Sequence, residues 1–317
     1  MATKTILALA VGDPKASQLI DHPNKLPGVR PYISGLIDGL AKSGFQLGAD
    51  ADYVIDYRHN WLDHIVAGTA FKELPDDPAL IYAMSTRVLR AAGDHTDGIP
   101  IVFPSVSRPE GEQHVKKGRA TGFAALRAQS AGECFDRFFK SVPGLKEVLI
   151  PNFDEHEPGD NALQLVIDAA TKHGVDPKPI PVRSHRDLLE KLDALPKRES
   201  GKPAICGVHV LPVDMFFGAT REIIKTVQDE KNLPAFFSVT DWVSPARGGA
   251  FGGHGVPQFT CGQKTARHVK QILSGGPDAA FPQVVVAQKE DFEWAVNGAA
   301  AAALGISTKI DAAVRVI

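Results

Sequence analysis

Short apolar runs, each closed by a turn-forming residue, alternate in this chain with stretches whose apolar residues recur at helical spacing. The first run is Ile6–Val11, stopped by Gly12-Asp13-Pro14. Ile33, Leu36, Ile37 and Leu40 then form a helical stripe that ends at Gly44. Further runs lie at Ala51–Tyr57, Ala79–Met84 and Ile99–Phe103, with Arg87–Ala92 reading as a short helix between the last two. Strand and helix in regular alternation predict a parallel sheet covered by helices. The chain is therefore of the α/β class.

The rhythm then restarts. Cys134–Phe139 reads as helix and Val148–Pro151 as strand, and Leu163, Val166, Ile167 and Ala170 form a stripe stopped by Gly174. Ile180–Val182 and Ala204–Leu211 read as strands, separated by a helix over Asp187–Leu192 with Ser184 as its N-cap. Ile223, Ile224 and Val227 mark another helix and Ala235–Val239 another strand. Two successive α/β halves of about 120 residues each account for this economically. Beyond them, Gly248–Gly253 reads as a flexible crossover loop, followed by a helix from about Gln263 to Leu273. An extended segment at Val284–Ala287 and an alanine-rich helix around Ala295–Leu304 complete the chain. Three more elements after two finished halves imply that the chain recrosses. The expectation is two Rossmann-like lobes with parallel sheets, residues 1–120 plus about 242–281 and residues 121–241 plus about 282–317. A hinged cleft would lie at the C-terminal strand ends, where open α/β sheets bind ligands.

Charge narrows the partners. The 317 residues carry 35 Lys+Arg against 37 Asp+Glu, a formal charge of -2, which argues against nucleic acid. Cys134, Cys206 and Cys261 are too far apart for a disulfide framework or a paired zinc signature. Ile6–Val11 is too short for the core of a secretory signal, and no run approaches the ~20 apolar residues of a membrane span. No membrane insertion is expected. The compartment is extracytoplasmic (periplasmic) if an export signal precedes this numbering and cytoplasmic otherwise.

Several segments, taken in order, resemble the ABC-transporter substrate-binding proteins of the tryptophan/tyrosine-binding type. Gly35–Phe45 is similar to the family's first helix and its "GL..LG(Y/F)" ending, and Val54–Arg58 to its "V.IEYR" strand. Ile99–Phe103 matches "IPIVF", Arg119–Phe123 matches "N.TGF", and Phe292–Gly305 resembles "FELVIN..TAKALGL". Two motifs depart from the pattern. His22-Pro23-Asn24-Lys25-Leu26 stands where the family has "HPALD", and Ser85-Thr86-Arg87-Val88 replaces its "TP.A" turn without the proline. The resemblance implies a type I periplasmic-binding-protein-like fold, a non-enzymatic role in transport and delivery of a small solute to an ABC permease. It points to an amino acid or an aromatic or apolar carboxylate, bound by ligand-induced closure of the two lobes.

Candidate ligand residues come from the turns after strands. Ser85 and Thr86 precede a helix, so their hydroxyls and the free helix N–H groups suit a carboxylate, although a plain helix cap explains them equally. Ser105 and Ser107, after Ile99–Phe103, offer the same chemistry or an ordinary polar loop. In the second half, Asn152 and Phe153 end one strand. Asp214 follows another, where a carboxylate would hold a ligand ammonium or cap the helix near Phe216. Ser238, Thr240 and Asp241 follow the next. Phe153, Phe217, Trp242 and Phe251 supply rings for an apolar ligand body or for core packing.

Metal and catalytic readings are weaker. His59 and His64 with Asp63 lack the i, i+4 pairing of a helical metal site, and Asp154–His156 with Glu157 are neighbours that point different ways. Solvated surface explains both, and neither a metal nor a cofactor is expected. Gly249–Gly255 lacks the strand before and the helix after that a dinucleotide loop requires. No nucleophile elbow or Cys/His signature appears, so no enzyme is expected. A cytosolic ligand sensor, or an isomerase or hydrolase on the same scaffold, are the alternatives.

Overall fold

The computed structural model describes residues 3–25, 30–72, 78–106, 113–124, 128–153, 162–211, 216, 219–275, 282–307 and 315–316. Two compact units emerge, Met1–Leu126 with Gln258–Ala287, and Arg127–Pro257 with Gln288–Ile317.

The first unit runs β1 (Lys4–Val11), β2 (Gln18–Ile20), α1 (Pro31–Lys42), β3 (Tyr53–Asn60), α2 (Leu62–Val66), β4 (Leu80–Ala83), α3 (Thr86–His95), β5 (Ile101–Phe103), α4 (Gln113–Lys116) and β6 (Ala120–Ala124). The second runs α5 (Ala128–Ser141), β7 (Glu147–Phe153), α6 (Ala162–Lys172), β8 (Asp176–Val182), α7 (His185–Asp193), β9 (Cys206–Val210), α8 (Thr220–Ile224), β10 (Ala235–Phe237) and β11 (Gly252–Gly255). The chain returns to the first unit for α9 (Gln258–Ser274) and β12 (Val285–Val286). It finishes in the second with β13 (Glu293–Val296), α10 (Gly298–Ala303) and β14 (Arg315–Val316).

In the first unit the sheet order is β12-β6-β5-β4-β1-β3-β2. All neighbours pair in parallel except β2 with β3. Ile6 through Ala10 are buried consecutively, as a strand covered on both faces requires. Leu7, Leu9, Ile81 and Phe103 pack with Ile65 of α2 and Val88 and Leu89 of α3. Elsewhere in the unit, the Tyr82 hydroxyl of β4 bonds the Thr265 hydroxyl of α9 at 2.8 Å. Helix α9 begins at Gln258, five residues before the expected start. Gly262, within the added first turns, is a contact point: a Cβ there would lie 2.1 Å from the Tyr32 carbonyl oxygen of α1. Two helices can approach this closely only without a side chain between them.

The second sheet has the order β14-β13-β11-β10-β9-β7-β8. Its core gathers Phe135 and Phe138 of α5 with Val148 and Ile150 of β7, Phe236 of β10 and Val166 of α6. Helix α7 begins where expected, with the Ser184 hydroxyl accepting the Asp187 N–H at 3.1 Å. Strand β8 is longer than its expected span because Pro177, Pro179 and Pro181 obscure it. The Asp176 N–H donates to Lys146 O, so even-numbered residues face β7 and the proline nitrogens face the open edge. That is the one side of a sheet where proline sacrifices no ladder bond.

The glycine stretch requires the main correction. Gly252–Gly255 is not a flexible loop but a buried strand, parallel to β10 and antiparallel to β13. The expected return to the first unit near residue 242 therefore falls at Pro257. A Cβ at Gly253 would lie 2.2 Å from Val239 O, and one at Gly255 2.5 Å from Ser238 O. After β10 the chain folds back onto β11 in backbone contact, and only glycine permits it.

Candidate functional site

In each unit the parallel strands deliver their C-terminal turns to one edge of the sheet, where α/β folds hold ligands.

On the first edge, β4 ends at Ala83 and Ser85 caps α3. The backbone of Ser85 is extended and its Oγ accepts the Val88 N–H at 3.3 Å. The residue is 7 % exposed, and Thr86 beside it is half-buried. After β5, Ser105 is equally buried. The first turn of α3 and these hydroxyls offer donors suited to a carboxylate. Ser107 lies outside the described residues.

Arg30 is an addition. Its guanidinium donates to Val11 O, the last carbonyl of β1, at 2.6 Å. Its only local signal in sequence is the Arg-Pro pair that opens α1. Nearby, the ends of β1 and β3 border a cavity of about 180 Å³ lined by Pro14, Ser17, Arg58, His59, Asn60 and Thr69, among others. His59 is held neutral, pushed down to about 4 by burial and then by the charge of Arg30, with Asp13 opposing. His64 contacts Asp63 at 4.0 Å on the surface. Among the described residues, no three His, Cys, Asp or Glu side chains are grouped to hold a metal ion. The Asp154–Glu157 run lies outside them.

On the second edge, β7 ends at Asn152 and Phe153. The Asn152 Oδ1 is buried and accepts no hydrogen bond among the described residues. Phe153 is buried at 6 % exposure. After β10, the Ser238 hydroxyl donates to Val210 O at 3.3 Å, tying β10 to β9, and also bonds the Cys134 thiol. Burial pushes that thiol up to about 12, so it is no nucleophile at neutral pH. Ser238 is thus engaged inside the sheet. Asp241, half-buried, opens a single 3-10 turn that includes Trp242, whose indole N–H is buried without a partner among the described residues.

Phe251 is placed differently from expectation. It precedes β11, at the opposite end of the sheet, and is wholly buried in the second core. A ring enclosed on all sides has no face for a ligand. Asp214 and Phe217 lie outside the described residues. The C-terminal strand ends thus carry Ser85, Thr86 and Ser105 in the first unit and Asn152, Phe153 and Ser238 in the second, where β9 separates the last from the other two and Asp241 follows in the next turn.

Comparison with known proteins agrees with this architecture. A family model described as ABC transporter substrate binding protein matches residues 15–315. No curated protein matches the sequence. Among solved structures, a conserved domain protein from Vibrio cholerae O1 biovar El Tor is similar at TM-score 0.73 and 22% identity, over 97% of this chain and 96% of that one. An ABC domain from Streptococcus pneumoniae in complex with L-Trp is similar at TM-score 0.74 and 17% identity, over 96% of each chain. The ligand-free, open structure of a substrate-binding protein with adhesive properties from Clostridium difficile is similar at TM-score 0.61 and 19% identity, over 99% of each. At these identities the likeness establishes the two-unit periplasmic-binding-protein-like α/β fold. No described helix is long and apolar enough to cross a membrane.

Proposed function

This chain belongs to the ABC transporter substrate-binding protein family, and from that premise we propose that it is a receptor that captures a small amino-acid-like solute and delivers it unchanged to an ABC permease. The observation that carries the role is the family match across residues 15–315. The chemistry of the two edges supports the ligand class. Donors predominate on the first: the hydroxyls of Ser85, Thr86 and Ser105, the first turn of α3, and Arg30 behind β1. Acceptors mark the second: the Asn152 Oδ1, unpartnered among the described residues, and the carboxylate of Asp241, with Asp214 added from sequence, as Ser107 is to the first. A zwitterion with carboxylate and ammonium at one end matches that division, and Phe153 offers an apolar surface for the side chain. The L-Trp complex of the streptococcal neighbour is consistent with the same class.

Such a receptor works by population shift. A ligand that engages both edges favours whichever arrangement of the units satisfies its two ends. The family match supports a site of action outside the cytoplasm, in reach of a permease.

Native mass spectrometry of the purified protein, followed by denaturing extraction, tests this reading. The expected result is a retained amino-acid mass recovered intact after incubation, or, from empty protein, a thermal shift with at least one of the twenty L-amino acids. A nucleotide, a mass that changes with time, or no shift across the panel would overturn it.

A further inference from the structure

The segment between β10 and β11 is held from below by one side chain. After α8 the helix widens into a π turn over Lys225–Glu230, closed by the Lys231 N–H to Thr226 O at 3.0 Å. Such turns make up well under 1% of residues and gather at functional positions. This one carries Gln228, which is 8 % exposed. Its Nε2 donates to Gly249 O at 3.2 Å and its Oε1 accepts the Phe251 N–H at 2.5 Å. The carboxamide thus pairs with the chain as a neighbouring strand would, using donor and acceptor together.

The bonds continue along the segment. The Ala250 N–H donates to Trp242 O at 2.8 Å, and the Val243 N–H to Thr240 O at 3.1 Å. Asn297 Nδ2 donates to Val243 O at 3.2 Å from the other side. An unbroken path therefore runs from Gln228 to the turn that bears Asp241. The segment's weak point lies beside the clamp, where Gly248 and Gly249 adopt φ of 141° and 74°. Two adjacent glycines regain the most conformational freedom when released.

We propose that Gln228 is a positioning residue, which fixes the fold-back segment 238–251 over β11 and thereby sets the Ser238–Asp241 turn for ligand. The positioning role rests on the proposed solute-binding reading; the clamp itself does not. Gln228→Glu keeps the acceptor for Phe251 and removes the donor to Gly249 until the carboxyl is protonated.

Hydrogen exchange read by mass spectrometry, corrected for intrinsic rates, tests the clamp on the full chain of wild type, Gln228→Ala and Gln228→Glu. Expected is at least tenfold faster exchange confined to residues 240–251 in Gln228→Ala, and in Gln228→Glu at pH 8. Lowering the pH to 5 restores protection in Gln228→Glu alone, which a packing role could not produce. Unchanged exchange in both variants, exchange spread evenly over the second unit, or no rescue at pH 5 would overturn the clamp. L-Tryptophan titration by calorimetry on the same proteins then tests the positioning. If wild type binds, the Gln228→Glu affinity should fall about tenfold at pH 8 and recover at pH 5; an affinity equal to wild type at both would overturn the role. If wild type does not bind L-tryptophan, the failure falls on the proposed ligand and the exchange result still decides the clamp.

Discussion

The two units build comparable sheet edges by opposite means. In the first, the turn after β4 is set by Ser85 accepting from Val88, three residues along. In the second, the turn after β10 is set by the backbone of β11, by Gln228 on the preceding π turn and by Asn297 far along the chain. The first arrangement is local, and removing one bond leaves the neighbouring turn intact. The second is distributed over several segments that must all be in place. A local device should therefore fail gradually, and a distributed one abruptly.

Gly253→Val is the severest test of that contrast. Its Cβ would lie 2.2 Å from Val239 O, a backbone atom that cannot step aside. The expected loss is about 3 kcal/mol or more, read as a lowered urea midpoint of the second unit. Ser85→Ala in the first unit should lose about 1 kcal/mol, the worth of one N-cap. Equal losses would break the comparison.

The same contrast explains what was legible in the sequence. The strand–helix rhythm, the restart after the first half, the Ser184 cap and the helix at Ser85 all rest on contacts within a few residues, and all were readable. Strand β11 was not. Its four residues are three glycines and a histidine, which have low strand propensity, and its stability derives from neighbours that sequence alone does not display. The placement of Phe251 failed with it: once β11 is a strand, the residue before it belongs to the core. Proline hid most of β8 for the opposite reason, since three prolines read as a break unless one knows which side of the strand is open. Arg30 acts on a carbonyl in another element, so no local pattern marks it.

Acid should sharpen the difference between units. His209 on β9 is wholly buried against Phe135, Phe138 and Phe236, with neither ring nitrogen bonded among the described residues. Burial pushes it down to about 3, against an ordinary value near 6.5. Between those values the unfolded chain binds a proton that the native state refuses. Stability is therefore full above pH 6.5 and falls as the pH drops toward 3, by up to about 1.4 kcal/mol per pH unit for this group. His254, lowered to about 4 first by burial and then by Arg137, adds to the same loss in the second unit. His59 acts alike in the first, from a more exposed position. His209→Leu should flatten the acid limb by one proton's slope in urea melts from pH 7 to 4. An unchanged slope would mean the ring is protonated in the native state.

The smallest energetic effect is expected at the outer strands, where the units again differ. The first sheet ends in β2, only three residues long, with Leu19 half-exposed. A strand that short offers few backbone groups to another chain. The second ends in β8, seven residues long, which shortness cannot protect. Its three proline nitrogens fall on the open side, each deleting a donor that an incoming strand would need. Because none faces β7, replacing Pro177, Pro179 and Pro181 together by valine should alter unfolding free energy by no more than about 1 kcal/mol, with the gain in unfolded-chain freedom offset by strand propensity. The oligomeric state should change instead. Light scattering should show concentration-dependent self-association of the triple variant, while Leu19→Lys on β2 leaves the wild-type profile unchanged. A triple variant that scatters like the wild type would show that β8 is guarded by something other than its prolines.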